Sequence, residues 1–224
     1  EKVKLLGAVR GPTGDEVTAA SALGQYEGYH DAPGVAADSR TPTFGAVRLY
    51  VDTWRWRGVP FYLRSGKALA GKTTEVIVQF HCPPHMIFEM RPGETLQCNR
   101  LVLTIQPDEG VHISFQTKVP DAGMRLRESM LYFHYRDAYP LETIPDAYER
   151  LLLDALQGDA ALFISAAEID ESWRIMDPII AGWAAGKEPL PRYARGSWGP
   201  EAADALLRRE GRHWVNGASL HHDE

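Results

Sequence analysis

Near residue 144 the spacing of apolar residues changes from alternation to helical periodicity, and that single switch narrows the folds open to this chain. Before it, Phe44-Gly45-Ala46-Val47-Arg48-Leu49-Tyr50-Val51-Asp52 puts Val47, Leu49 and Val51 on one face, as a half-buried strand requires. The same pattern predicts strands over 59–63, 75–80, 100–105, 111–117 and 130–135. Most are separated by loops carrying Pro83-Pro84, Pro92-Gly93, Pro107-Asp108-Glu109-Gly110 and Pro120-Asp121-Ala122-Gly123. Connections this short join antiparallel neighbours, because a parallel pair needs a crossover of about a dozen residues or more. The first forty or so residues read as loops around an edge strand at Ala22 to Tyr26.

After the switch, Asp146-Ala147-Tyr148-Glu149 has the form of a capping box, followed by an apolar stripe of Leu151, Leu152, Ala155 and Leu156 and a stop at Gly158. Ser165-Ala166-Ala167-Glu168 repeats the signature ahead of Ile169, Trp173 and Met176, and Pro178 is expected to kink or restart that helix. A third helix fits 200–210, with proline at its start and Gly211 past its end. Strands first and helices after predict an α+β fold: a large, mostly antiparallel sheet with helices packed on one face, the other face needing cover if it is apolar. At 224 residues the chain is long enough for one sizeable core, so residues 1–224 are read as a single domain with a loose tail around His221 and His222.

A net charge of −6 argues against a nucleic-acid partner but leaves room for a small anion, since a few converging lysines set the potential of one pocket. No apolar run approaches the roughly 20 residues that span a bilayer, and Glu1-Lys2-Val3-Lys4 is not a signal peptide, so a cytoplasmic protein without a membrane partner is expected. Cys82 and Cys98 are too few and too isolated for a disulfide framework and read as reduced thiols. The start, without methionine and within ordered-looking sequence, suggests a piece of something longer.

Gly66-Lys67-Ala68-Leu69-Ala70-Gly71-Lys72-Thr73 matches the P-loop expression, but a P-loop needs a helix starting at its lysine and threonine, and Thr74-Glu75-Val76-Ile77-Val78 alternates like a strand. Lys67 and Lys72 make better sense as cations flanking a short turn, both able to reach one small phosphate or hydroxyl ligand, unless they are an idle solvated tip. His81-Cys82-Pro83-Pro84-His85 falls short of a metal site, lacking further ligands at suitable spacing, and no metal is expected. Neither a nucleophile elbow nor a glycine-rich dinucleotide fingerprint is present. Trp54 and Trp56, alternating with arginines along a presumed strand, and Trp173 on a helix stripe read as core or interface packing.

Several blocks together resemble one family. Gly24-Gln25-Tyr26, Gly28-Tyr29, Pro33-Gly34-Val35, Ser39 with Thr41 and Thr43-Phe44, Arg55-Trp56-Arg57-Gly58-Val59-Pro60-Phe61, Leu63-Arg64-Ser65-Gly66-Lys67-Ala68-Leu69, Gln106-Pro107, Pro145-Asp146-Ala147-Tyr148-Glu149-Arg150-Leu151, Trp173-Arg174-Ile175 and Gly196-Ser197-Trp198-Gly199-Pro200 run in the order found in the C-terminal domain of glucose-6-phosphate dehydrogenases. The resemblance implies oxidation of glucose 6-phosphate to 6-phosphogluconolactone, with NADP, or sometimes NAD, as hydride acceptor, at the entrance to the pentose phosphate pathway. It also implies that Lys67 and Lys72 hold the sugar phosphate, and that the sheet carries a homo-oligomer interface, dimer or tetramer. The family's nucleotide-binding fold and its base histidine lie upstream of Glu1, so no residue here is assigned a catalytic role and the chain alone is expected to be inactive. Some members bind a second, structural NADP on this domain. Arg64 matches that site, but Thr73, Ile77, Thr104, Ser114 and Tyr132 stand where those members carry charges, so it is expected to be absent. A stand-alone, non-catalytic assembly or regulatory relative remains an alternative, and a P-loop hydrolase a remote one.

Overall fold

A computed structural model describes residues 1–85, 98–120, 125–139, 147–186 and 189–216. Its contacts divide the chain into two compact units, Glu1–Gly71 with Leu151–Trp214, and Lys72–Arg150 with Val215–Glu224.

The first unit is built on a five-stranded sheet. Its strands are β1 (Val9–Arg10), β2 (Ser21–Tyr26), β3 (Phe44–Val51), β4 (Pro60–Gly66) and β9 (Arg192–Tyr193). Strand β3 lies centrally, antiparallel to β4 along one side and to β2 and β1 along the other, while β9 runs parallel to β2. The expected edge strand at Ala22 to Tyr26 is therefore an inner one: β9, too short to show any periodicity, covers its outer side.

Alternation along β3 sends its side chains to two cores. Phe44 and Ala46 join Ala22, Tyr193, Ala203, Leu206 and Leu207, under α6 (Glu201–Arg208). Val47 and Leu49 join Val17 of α2 (Glu16–Ala20) and Ile175 and Ile179 of α5 (Ala166–Ala185). Both faces are apolar and both carry helices, so the second face receives the cover its composition requires. Helix α5 opens with the expected capping box: Ser165 Oγ accepts from the Glu168 amide, and Glu168 accepts from the Ser165 amide at 2.8 Å. It runs unbroken through Pro178, correcting the expected restart; the buried Ile175 and Ile179 on either side hold the helix in place against the roughly 3 kcal/mol an interior proline costs. Helix α1 (Lys2–Gly7) lies beside α5, and Arg174 donates to the carbonyls of Leu6 at 2.9 Å and Val9 at 3.3 Å.

The second unit contains a four-stranded antiparallel meander: β5 (Thr74–Gln79), β6 (Arg100–Gln106), β7 (Gly110–Lys118) and β8 (Leu126–His134), then the single turn α3 (Tyr135–Ala138). These are the strands the alternation predicts, in two sheets rather than one. One meander face buries Val102, His112 and Ser114 while exposing Met130 and Tyr132; the other carries Val76, Leu103, Val111, Ile113, Leu131 and Phe133, several of them exposed.

Helix α4 (Ala147–Gln157) ends at Gly158 as expected, while Asp146 of its capping box, Pro92-Gly93, Asp121-Ala122-Gly123 and the tail histidines lie outside the described residues. Its leucine stripe is not the buried face: Leu156 is 87% exposed and Asp154 is buried, two residues away and so on the opposite side of the helix. Trp54 and Trp56 fall in the turn after β3, not on a strand. Trp54 is 94% exposed, and Trp56 packs edge-on to Phe61 with ring centres 5.2 Å apart.

Cys82 and Cys98 form a disulfide with Cα atoms 4.9 Å apart, which corrects the reduced-thiol expectation. The antiparallel register brings Gln79 opposite Arg100, so residues just beyond that pair meet, a proximity the spacing of two isolated cysteines does not reveal. Among the described residues, no helix is long and apolar enough to cross a membrane.

Candidate functional site

Thr74–Gln79 is a strand directly after Lys72-Thr73, so no helix N-terminus is available to receive a phosphate and the P-loop alternative falls. Lys67 and Lys72 stand at opposite ends of the link between β4 and β5: Lys67 follows Gly66 in the first unit, Lys72 begins the second, and both are exposed. The metal-like run at 81–85 offers no free thiolate, because Cys82 is bonded to Cys98.

The turn bearing Lys67 is fixed from several directions within the first unit. The Lys67 amide donates to the Thr43 carbonyl at 2.8 Å, extending the β3–β4 pairing past Phe44 and Gly66. Ala68 has φ of 52°, a left-handed conformation that costs an L-residue free energy and persists only where the surroundings impose it. Those surroundings come from the far end of the chain. Ala68 O accepts from the Gly196 amide at 2.8 Å, the Ala70 amide donates to Ser197 O at 2.9 Å, and Leu69 bridges Ser197 in parallel. Two of the sequence blocks that carry the family resemblance, 63–69 and 196–200, therefore interlock.

Beneath the turn, a Cβ on Gly66 would sit 2.8 Å from the Phe44 ring and one on Gly199 only 2.4 Å from it, so backbone closes over Phe44 where a side chain would not fit. Phe44 itself is 2% exposed. The motif glycines thus serve packing under the turn.

One residue absent from the sequence reading completes the arrangement. The Tyr193 hydroxyl donates to the Lys67 carbonyl at 2.7 Å and lies 3.0 Å from Thr43 Oγ1, which accepts from the Tyr26 amide at 2.9 Å. Burial pushes the Tyr193 phenol above its ordinary pKa, outweighing the hydrogen bonds to Thr43 and Lys67, so it stays protonated as a donor. Preceded by Pro191 and Arg192 and last in a two-residue strand, Tyr193 shows no periodicity that would have marked it.

Nearby, Arg64 lies over the rings of both Trp198, 5.0 Å from its centre, and Trp214, at 4.6 Å. Glu210, past the end of α6, accepts from Arg48, from Tyr62 at 2.5 Å and from Arg212 at 2.6 Å, tying the helix end to β3 and β4. The positions Ile77, Thr104, Ser114 and Tyr132 fall on β5, β6, β7 and β8, with Ser114 buried.

The family model described as glucose-6-phosphate dehydrogenase, C-terminal domain, matches residues 1–215. Glucose-6-phosphate 1-dehydrogenase 2 of Mycobacterium tuberculosis is 42% identical over 224 residues, covering 96% of this chain and 43% of the relative. Glucose-6-phosphate 1-dehydrogenase of Treponema pallidum is 43% identical over 194 residues, covering 86% and 37%. Among solved structures, the Mycobacterium avium enzyme superposes with a TM-score of 0.75 at 37% identity, over 96% of this chain and 43% of that one. A glucose-6-phosphate dehydrogenase in complex with its substrate glucose-6-phosphate superposes with a TM-score of 0.81 at 30% identity, over 96% and 45%. The chain spans less than half the length of these relatives.

Proposed function

The chain belongs to the glucose-6-phosphate dehydrogenase C-terminal domain family, and from that premise we propose that it is the substrate and dimerisation domain of an enzyme oxidising glucose 6-phosphate to 6-phosphogluconolactone. In this reading both units, residues 1–224, act as one functional domain of a cytoplasmic protein. The observation that carries the proposal is the over-determined turn at Lys67: the chain spends a strained residue and two interlocking segments on holding one exposed lysine in place.

Lys67 and Lys72 contribute ammonium donors to the phosphate of the sugar, where a charged donor is worth about twice a neutral one. When bound, NADP, or NAD, would supply the hydride acceptor for C1, and the residues that would hold it and take the C1 hydroxyl proton are assigned to the upstream part of the enzyme. This domain binds and orients the substrate's phosphate end. Arg64 is engaged between two indoles, and the meander positions 77, 104, 114 and 132 carry no formal charge, which supports a domain lacking the second, structural NADP. The exposed apolar face of the meander, with Ile113 beside Leu131 and Val111 beside Phe133, supports self-association through the sheet into a dimer or tetramer.

The test is steady-state kinetics of the full-length enzyme. Losing a charged hydrogen bond to phosphate raises KM for glucose 6-phosphate by roughly 10- to 100-fold in Lys67→Ala and Lys72→Ala, with kcat less affected. Unchanged KM in both variants refutes the assignment, and turnover by the purified 224-residue chain refutes its dependence on an upstream part.

A further inference from the structure

Lysine carries its charge on four rotatable bonds, so its backbone must be fixed before the ammonium can be aimed at anything. Lys67 has its amide fixed by Thr43 and its carbonyl fixed by Tyr193. The second contact is the end of a series of polar contacts. The Tyr26 amide donates to Thr43 Oγ1, Thr43 Oγ1 lies 3.0 Å from Tyr193 Oη, and Tyr193 Oη has two carbonyl acceptors in reach, Lys67 O at 2.7 Å and Thr43 O at 3.1 Å. The shorter of the two carbonyl contacts, 2.7 Å, falls on Lys67. Tyr193 is 3% exposed, and its ring packs edge-on to Phe44 at 5.7 Å and to Tyr26 at 6.5 Å. The hydroxyl therefore cannot swing to water. Its acceptor is the residue immediately before Ala68, whose left-handed backbone must be held.

We propose that Tyr193 is a positioning residue for Lys67: its buried hydroxyl fixes the backbone from which the ammonium meets the sugar phosphate, and so sets the preference for phosphorylated over unphosphorylated sugar. This rests on the phosphate role of Lys67 given above. Tyr193→Phe is the informative change, because it keeps the ring between Phe44 and Tyr26 and removes one oxygen.

The experiment measures kcat/KM of the full-length enzyme for glucose 6-phosphate and for glucose in four forms: wild type, Tyr193→Phe, Lys67→Ala and the double variant. The glucose arm reports the properly folded fraction, since glucose has no phosphate to be held. Tyr193→Phe is expected to lower the value for glucose 6-phosphate about five-fold, through KM, and to leave glucose unchanged. Lys67→Ala lowers it further, and the double variant matches Lys67→Ala, because positioning an absent ammonium has no value. Equal losses for both sugars in Tyr193→Phe, or no loss at all, overturn the proposal while an effective Lys67→Ala leaves the phosphate site standing. A silent Lys67→Ala overturns the phosphate site itself, and this proposal with it.

Discussion

Gly199→Ala measures how tightly the first unit is closed over Phe44. Two costs add at this position. Its φ of 116° lies where an L-residue is strained, worth about 1–2 kcal/mol. In addition, a Cβ would come within 2.4 Å of Phe44 Cε2, 2.7 Å of Cζ and 3.0 Å of Cδ2, so the ring or the backbone must move. The ring has little room, since its Cδ2 is also 2.8 Å from the Cβ position of Gly66 and the side chain is fully enclosed. Overpacking of this kind costs about 1–3 kcal/mol. The sum, about 2–5 kcal/mol, is a large part of the roughly 5–15 kcal/mol by which a domain is stable. Gly196→Ala is the matched control: φ is 79°, yet no atom lies within 4 Å of its Cβ position, so only the backbone cost of about 1–2 kcal/mol applies. Urea unfolding followed by tryptophan fluorescence gives both values from the midpoints. A Gly199→Ala midpoint equal to or above that of Gly196→Ala refutes the packing account.

The Glu210 cluster predicts two pH limbs. Burial alone would raise the Glu210 carboxyl, but hydrogen bonds from Tyr62 and Arg48 outweigh it and hold the group below its usual range. A carboxyl depressed by folding stabilises above its unfolded pKa and loses that contribution as pH falls through the folded value. The advantage of wild type over Glu210→Gln in urea midpoints should therefore be full at neutral pH and shrink in acid; a constant advantage counts against it. Burial, then the bond to Glu210, pushes Tyr62 up to about 12, so its contribution holds below the ordinary phenol range and is lost as pH rises through about 12. Tyr62→Phe should remove one late-ionising phenol from an ultraviolet titration and flatten the alkaline limb. Cys98→Ser, which opens a loop between residues separated by 16, should cost about 3 kcal/mol, and the unreduced, denatured chain should take no thiol label; labelling of both cysteines contradicts the bridge. Calorimetric titration of this chain with NADP should give no saturable heat, and a stoichiometric isotherm would restore the second nucleotide site.

Strands β3 to β8 were legible because each runs for six to nine residues, long enough for a period of two to show, even in β3 where both faces are buried. The cap of α5 was legible because it is a local bargain between Ser165 and Glu168. What escaped was short or long-range. Strands β1 and β9 span two residues each and carry no period, and the bonds of Glu210 to Arg48 and Tyr62 join positions some 150 apart in sequence. At the candidate site, Lys67 and Lys72 were visible as cations beside glycines, but the support for Lys67 was not. Tyr193 sits 126 residues away and acts through a carbonyl, which every residue possesses and no sequence pattern displays.

The interlock between 66–70 and 193–199 also bears on the order of synthesis. When Lys67 leaves the ribosome, the partners that hold its turn have yet to be made, and a chain must grow by more than a hundred residues before Tyr193 and Ser197 can close over it. A chain stopped after β4 but short of Tyr193 lacks the partners that hold Ala68 in its left-handed backbone, and lacks α6 over Phe44 as well. Quality control is thus written into the geometry: an incomplete polypeptide cannot present this lysine as the finished one does.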